Sequence, residues 1–330
     1  MALGLRRGRV SWVGEGTEQP LRLEVDGIPC IAYPRLTGAV AVGDDVVVNE
    51  QARALRLGSG GFDVLYVNLT RGLGLPAEEG AHVMTLPYTP LQAAVRHGEE
   101  DGELATGLDG MPVVCCSVHS QLAPVCAGLG PGVRVAYVQV PGGALPVSLS
   151  DSVREVKERG LVEVAIGAGA CFHGDVDCVS AAGALAWAAG NGIEAVVCSV
   201  GPGVVGTGSS LGHGGVAAAE AANAATALGG TPILAVRVSE RDERERHRGV
   251  SHHARTALRL ALGRLVVAWP ARVAAPEWLE EREEVDVSDW EDACRGLTLS
   301  HMGRGAQEDP AHFAAAFAAG RVARSRVRRD

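Results

Sequence analysis

The chain has 330 residues, of which 47% are hydrophobic and 21% charged, a composition typical of a globular protein with room for one large α/β domain and a smaller one. The net charge of −9 argues against a general nucleic-acid-binding protein, and no apolar run is long and clean enough to predict a membrane-spanning helix. The N-terminus lacks the apolar core of a signal peptide and the eight cysteines lack metal-type CxxC pairs, so we expect a cytoplasmic protein with reduced thiols.

Short alternating runs fill residues 1–70, with Asp-Gly and Gly-Asp turns between some of them. The runs are Arg9–Val13, Leu21–Val25, Ile28–Tyr33, Val46–Asn49 and Asp63–Val67. Alternation with tight turns is typical of antiparallel strands, so residues 1–70 are predicted to form a small β-barrel. Residues 52–57 are expected to add a further strand or a turn.

Residues 71–110 are predicted to be a linker and a helix. Gly72, Gly74, Pro76 and Gly80 mark the linker, and the helix is expected to end at His97. The acidic stretch at residues 99–103 is expected to be an exposed loop.

From residue 111 the pattern changes to continuous apolar runs that are separated by helical stretches. The runs are Pro112–Val118, Val133–Val140, Val162–Ile166, Ala195–Val200, Ile233–Val238 and Leu265–Trp269. Strands without alternation are buried on both faces, as in a parallel sheet. Residues 111–330 are therefore predicted to form a doubly wound, mainly parallel, Rossmann-like α/β domain with a C-terminal helical extension.

Lysine is almost absent from the chain, since Lys157 is the only one among 30 lysines and arginines. A phosphate-binding loop of the GK[ST] type and a Schiff-base lysine therefore have no good candidate. Lys157 lies in a polar helical stretch, and we expect it to face water.

The segment Gly201–Gly215, here called the glycine loop, follows the fourth predicted strand of this domain and precedes a helical stretch. Such a loop at the carboxyl edge of a parallel sheet is a usual place to hold an anion. We predict a ligand site for a small anionic molecule there. The predicted ligand-binding residues are Ser120, Gly201, Gly203, Gly206, Thr207, Gly208, Ser209, Ser210, Gly214, Arg255 and Arg304.

The literal GxGxxG match at residues 201–206 lies late in the sheet, whereas a dinucleotide fingerprint comes early and is followed by an acidic residue. A nicotinamide cofactor is therefore not favoured, and the cofactor is left unassigned. A phosphate- or carboxylate-bearing metabolite is the better interpretation.

Five histidines follow the predicted strands at this edge: His119, His173, His213, His252 and His253. Proton transfer is assigned to His119, His213 and His252, since histidine titrates near neutral pH. His119 and Ser120 are equally consistent with a simple helix cap. Ser120 as a nucleophile would need a base, and the GxSxG elbow is absent.

Metal-ligand residue types occur at His173, Asp175 and Asp177 and at the pair His252–His253. No HExxH or HxH pattern accompanies them, so no metal is assigned, and the question stays open for His173, Asp175 and His253. Cys171 is expected to be an inert buried thiol rather than a reactive one. Residues 240–248 are a charge run, interpreted as a solvated loop with a mobile lid as the alternative.

Four segments together resemble the uncharacterised bacterial family called domain of unknown function 3866. They are His82–Gln92, His119–Ser120, Gly201–Gly215 and Gly249–Leu258. The resemblance covers nearly the whole chain and implies a bacterial protein. It implies no activity, cofactor or catalytic residue.

Two functional hypotheses follow. The first is an enzyme that acts on a small anionic metabolite at the sheet edge, with Arg255 and Arg304 neutralising charge. The second is a non-catalytic metabolite-binding or regulatory protein whose N-terminal barrel is an interaction module. Neither a nucleic acid nor a membrane is expected as a partner. Alanine-rich helices at residues 181–189 and 217–227 make a homodimer plausible.

Overall fold

A computed structural model describes residues 3–15, 20–55, 61–76, 78–101 and 104–328. The chain divides into two compact units, Met1–Arg96 and His97–Asp330. The predicted architecture, a small N-terminal barrel and a doubly wound parallel sheet, is confirmed.

In the described part of the first unit, five strands close into a barrel in the order β1-β2-β3-β5-β4. They are β1 (Leu5–Val13), β2 (Leu21–Val25), β3 (Ile28–Ala32), β4 (Asp45–Asn49) and β5 (Asp63–Asn68). Alternate residues point inward, and Val10, Leu23 and Val46 are among those that form the barrel core. Neighbouring strands are antiparallel except β3 and β5, which pair in parallel.

The described residues of the first unit also form two short helices and a hairpin. The helices are α1 (Pro34–Thr37) and α2 (Gln51–Ala54), the latter lying where a strand or turn was expected. Residues 56 and 57 of that predicted run lie outside the described residues.

The prediction of a helix that ends at His97 is wrong. The hairpin strands β6 (Val83–Thr85) and β7 (Ala93–Val95) occupy this region. Leu86 and Tyr88 have φ angles of 45° and 58°, which help to reverse the chain, so that residues 93–95 pair with residues 83–85 instead of forming a helix. The expected acidic loop begins with a 3₁₀ turn at Gly98–Glu100, and its residues 102 and 103 lie outside the described part.

Within residues 104–328, eight parallel strands form one sheet in the order β11-β10-β9-β12-β8-β13-β16-β17. They are β8 (Pro112–Cys116), β9 (Val135–Val140), β10 (Val164–Ala168), β11 (Val176–Cys178), β12 (Ala195–Val200), β13 (Thr231–Ala235), β16 (Val266–Pro270) and β17 (Glu283–Val285). Strands β14 (Val238–Ser239) and β15 (Gly249–Val250) pair separately as an antiparallel ribbon. All six predicted strands of this sheet are present, and two three-residue edge strands are added.

Helices cover both faces of this sheet. They are α3 (Leu122–Leu129), α4 (Asp151–Glu158), α5 (Ala181–Gly190), α6 (Ala217–Ala227), α7 (His252–Leu260), α8 (Trp290–Ala293) and α9 (Pro310–Arg324). Successive strand residues enter different cores: Val113 packs with the core of α5, α6 and α7, and Val114 with the core of α3, α8 and α9. Among the described residues, none of the helices combines the length and apolar character that crossing a membrane requires.

Strands β12, β8 and β13 are neighbours in the centre of the sheet. Because they are parallel, their carboxyl ends lie at one edge. Three segments therefore start side by side: the one containing Ser120, the glycine loop and the one containing Arg237. This edge carries the site described next.

Candidate functional site

Four imidazoles meet at the carboxyl edge of the sheet, and we call them the histidine cluster: His213, His247, His252 and His253. The rings of His213 and His253 stack with their centroids 4.0 Å apart, and His252 lies 4.9 Å from His213 and 4.5 Å from His253. His247 lies 4.7 Å from His252. The structure thus brings two residues predicted to transfer protons, His213 and His252, into one group.

The glycine loop positions His213. Its residues 205–214 fold back on themselves: the amide of Thr207 donates to the Gly212 carbonyl at 2.7 Å, and Gly206 bridges to His213. A Cβ on Gly214 would overlap the carbonyl of Gly142, so this glycine is needed for close contact with the loop that follows β9.

The predicted anion-binding residues of the glycine loop lie mostly at the surface. Gly201 is buried, whereas Gly203, Gly206, Thr207, Gly208, Ser209 and Ser210 are exposed. The hydroxyl groups of Thr207 and Ser209 lie 3.0 Å apart and bond within the loop. The prediction that this loop holds an anion stays a prediction.

The second half of the cluster sits at the start of α7, where His252 and His253 are the first two helical residues and Ser251 is the N-cap. The hydroxyl of Ser251 accepts from the amide of His253 at 3.2 Å and lies 2.7 Å from Nδ1 of His247. Gly215 leaves room for the rings, because a Cβ there would lie 3.0 Å from Nδ1 of His253.

Arg237 connects the histidine cluster to a second polar group. Its side chain is 3% exposed, and Nη1 donates to Nδ1 of His253 at 3.1 Å. Nη2 lies 3.5 Å from Nε2 of His301 and 3.5 Å from the carboxylate of Asp242. Burial and the nearby charge of Arg244 lower the pKa of Arg237 to about 10. Sequence reasoning missed this residue, although a charged side chain inside the apolar run Ile233–Val238 was a signal.

Ser120 lies between two further histidines. Its Oγ is 2.9 Å from Nδ1 of His301 and 3.0 Å from Nε2 of His312, and these two rings stack 3.8 Å apart. The hydroxyl has one proton, so it donates to one ring and accepts from the other. Arg237 donates to Nε2 of His301, so Nδ1 of that ring carries a proton and donates to Ser120, and Ser120 in turn donates to Nε2 of His312. Burial holds the pKa of His312 well below its usual value, which argues against His312 as the base that would activate Ser120 as a nucleophile.

Two carboxylates hold the arginines of this region in place. Asp242 lies 2.9 Å from Arg244 and 3.6 Å from Arg304, and Asp309 accepts from Nε of Arg304 at 3.2 Å. Burial opposes the charge of Asp242, but hydrogen bonds from Arg244 outweigh it and hold the pKa of Asp242 well below its usual range. Residues 240–248, predicted to be a loop or a lid, therefore supply charged groups to the site.

The imidazoles of the cluster are uncharged at neutral pH. Burial lowers the pKa of His252 to about 4 and that of His213 below its usual value. Burial and the charge of Arg237 lower the pKa of His247 to about 3 and that of His253 to about 2. The positive charge around the cluster thus belongs to guanidinium groups, and each neutral imidazole keeps one nitrogen with an available lone pair.

The remaining predicted site residues lie elsewhere. Nε2 of His119 lies 2.6 Å from Oγ of Ser150, and its Nδ1 lies 3.3 Å from the hydroxyl of Tyr137. In the described part of the chain, no ring contact or hydrogen bond joins His119 to the histidine cluster. Arg255 lies over the ring of Trp278 at 4.9 Å.

The other candidate metal residues follow β10. Nδ1 of His173 lies 3.1 Å from Oγ of Ser148, and the carboxylate of Asp177 accepts from the backbone amide of His173 at 3.3 Å. Asp175 accepts from the amide of Ala165 at 2.8 Å and forms an ion pair with Lys157. Lys157 was expected to face water, but its side chain is only 32% exposed.

A metal ion has a different candidate set. His213, His252 and His253 each offer a ligand atom, and these atoms lie within 4.8 Å of one another. Of the described residues, this is the group of histidine, cysteine and acidic side chains whose geometry suits a metal. The pair His252–His253 and the nearby glycine loop were visible in the sequence, but their meeting depends on the fold.

The chain was compared with family models, curated proteins and solved structures. The model of the family described as "Protein of unknown function (DUF3866)" matches residues 29–320. No curated protein and no solved structure matches the chain.

Proposed function

The chain belongs to the DUF3866 family, and we propose that it is an enzyme acting on a small anionic metabolite, which carries a phosphate or a carboxylate and binds beside the histidine cluster. The supporting observation is the surplus of guanidinium groups there. Nε of Arg237 is a buried nitrogen without a hydrogen-bond partner, and Nη2 of Arg304 is buried and makes no hydrogen bond, although it lies 3.6 Å from the carboxylate of Asp242. Buried donors that lack a partner are the groups an anion satisfies.

The local charge balance supports an anion. Arg237, Arg244 and Arg304 all lie within 4 Å of Asp242, and the only second carboxylate in ion-pair contact with this group among the described residues is Asp309. Three positive charges therefore face two negative ones, with uncharged imidazoles beside them. A positive surplus in a chain of net charge −9 attracts a small anion to this edge.

Proton transfer is assigned to His213 and His252. Both rings are neutral near pH 7, so each can accept a proton from a bound substrate. A bound anion beside the ring stabilises the protonated form and so favours that transfer. His119 is no longer included in this assignment, because its contacts are with Ser150 and Tyr137.

Anion binding can be measured by calorimetry and thermal shift with inorganic phosphate, pyrophosphate, acetate and citrate. Arg304→Gln is expected to weaken binding by about ten-fold or more, because a hydrogen bond to a charged group contributes about 1.5–3 kcal/mol. The matched control is Arg134→Gln, since Arg134 pairs with Glu163 at the start of β9, the opposite edge of the sheet. If none of these anions binds, or if Arg304→Gln binds as tightly as Arg134→Gln, the proposal is wrong.

A panel of phosphate esters and carboxylate esters distinguishes the two hypotheses. If the protein binds an anion but turns over none of these esters, the result favours the alternative, a non-catalytic metabolite-binding or regulatory protein with the barrel as its interaction module.

We also propose a bacterial origin, a cytoplasmic location and a homodimer. They are supported by the arginine-rich composition, the eight free cysteines and the alanine-rich helices. Light scattering measures the oligomeric state directly.

A further inference from the structure

We propose that His213, His252 and His253 form a binding site for a divalent late first-row transition metal such as Zn²⁺, Co²⁺ or Ni²⁺. This goes beyond the proposed function. A bound metal takes the lone pairs that His213 and His252 would need for proton transfer and so replaces that assignment, whereas the anion site on the arginines can succeed or fail independently. The three ligand atoms lie within 4.8 Å of one another. Nitrogens on one tetrahedral zinc ion are about 3.4 Å apart, given Zn–N distances of about 2.0–2.1 Å. Small rotations of the rings therefore complete the site.

The hydrogen bonds of His213 prepare it as a ligand. Its Nε2 lies 3.1 Å from the backbone carbonyl of Ser210, so Nε2 carries the proton and donates it. The lone pair is then on Nδ1, which is buried without a hydrogen-bond partner in a residue that is 7% exposed. A metal-ligating histidine almost always donates its other N–H to a carbonyl or carboxylate in this way.

His252 provides a second unsatisfied nitrogen. Its Nε2 is also buried without a partner, and its ring lies 4.9 Å from that of His213. Leaving a buried polar nitrogen unpaired costs about 1–3 kcal/mol. Two such nitrogens on adjacent rings indicate that a bound species satisfies them together.

The chemistry of the three ligands selects the metal. All three are imidazoles, which suit zinc, nickel, copper and iron, and the set contains no carboxylate of the kind that magnesium or calcium requires. The absence of a side chain at Gly215 gives the space, because a Cβ there would lie 3.1 Å from Nδ1 of His213.

Arg237 makes His253 the weakest of the three ligands. Its Nη1 donates to Nδ1 of His253 at 3.1 Å, so a cation must compete with this guanidinium for the ring. The positive charge of Arg237 also opposes a second cation nearby. Arg237→Met is therefore expected to bind Zn²⁺ more tightly than the wild-type chain.

The test is a titration of chelator-treated full-length protein with Co²⁺, followed by its d–d absorption, and with Zn²⁺ by calorimetry. We expect one equivalent to bind, with His213→Ala and His252→Ala each weakening affinity by about 100-fold or more. The matched control is His173→Ala, a histidine at the same sheet edge outside the cluster, which is expected to bind as the wild type does. Circular dichroism confirms that each variant is folded, and His213→Gln or His252→Gln replaces the corresponding alanine variant if that variant is not.

Failure of Zn²⁺ and Co²⁺ to bind, binding that survives both His213→Ala and His252→Ala, or weaker binding in Arg237→Met would overturn the metal site. The proposed anion site is measured separately, with phosphate added to chelator-treated protein. If phosphate binds but no metal binds, this inference is wrong and the proposed anion site stands. If a metal binds but no anion binds, the metal site stands and the proposed function is wrong.

Discussion

The histidine cluster and the turn from Cys171 to Asp177 lie at carboxyl ends of strands in the same sheet, and both carry metal-ligand residue types. Their nitrogens and oxygens are used differently. In the turn, Asp177 accepts from the backbone amides of His173 and Gly174, and Asp175 pairs with Lys157. In the cluster, one ligand atom from each of His213, His252 and His253 lies within 4.8 Å of the others, and among the described residues no such group includes His173, Asp175 or Asp177. Residue type alone therefore does not identify a site, whereas the convergence of the ligand atoms does.

The largest expected effect is a loss of stability in mild acid. His247 and His252 have folded-state pKa values of about 3 and about 4, against 6.5 for an ordinary histidine. As pH falls below 6.5 the unfolded chain binds protons that the folded chain does not, so stability present above pH 6.5 is lost toward pH 4. Each such histidine contributes a slope of up to about 1.4 kcal/mol per pH unit.

Urea unfolding at a series of pH values from 7.5 to 4.5 measures this slope. His252→Gln is expected to reduce the slope, because it removes an imidazole whose pKa is lowered by burial. A free energy of unfolding that stays constant between pH 7 and pH 5 would contradict the neutral, buried state of the cluster.

The next largest effect is expected for Asp242→Ala. This change leaves Arg237 buried beside His253 without its carboxylate, and breaking a buried ion pair costs about 3–5 kcal/mol. Asp292→Ala is the control, because it removes an exposed pair with Arg295 worth about 0–1 kcal/mol. Equal midpoints of urea unfolding for the two variants would show that the fold does not need Asp242 to keep Arg237 buried.

The smallest effect is expected in the turn. Asp177→Ala removes two bonds from backbone amides, so we expect a loss of about 1–2 kcal/mol in the free energy of unfolding. Zinc and phosphate affinities should be the same as in the wild type. A large loss of either affinity in this variant would move the site from the cluster to the turn.

The central sheet could be predicted because its strands are continuous apolar runs, such as Ala195–Val200, which only burial on both faces explains. Strands β11 and β17 have three residues each and leave no such run. The β6–β7 hairpin was missed because residues 82–92, which include its first strand and its turn, were taken to lead into a helix.

The site was predictable only in part. His213 and His252 were found because each follows a predicted strand. Arg237 and His301 were not, because their contact joins residues 64 positions apart and no local pattern brings them together. His119 was grouped with the cluster residues by strand order alone, and strand order does not say which way a side chain points.

The most direct test is an anomalous difference map from a crystal grown with Zn²⁺ and phosphate, collected at the zinc absorption edge. We predict a peak among His213, His252 and His253, with phosphate density within hydrogen-bond distance of Arg304. A zinc peak at Asp175 or Asp177, or a cluster with neither metal nor phosphate in a crystal that binds both elsewhere, would contradict the assignment of the site to the histidine cluster.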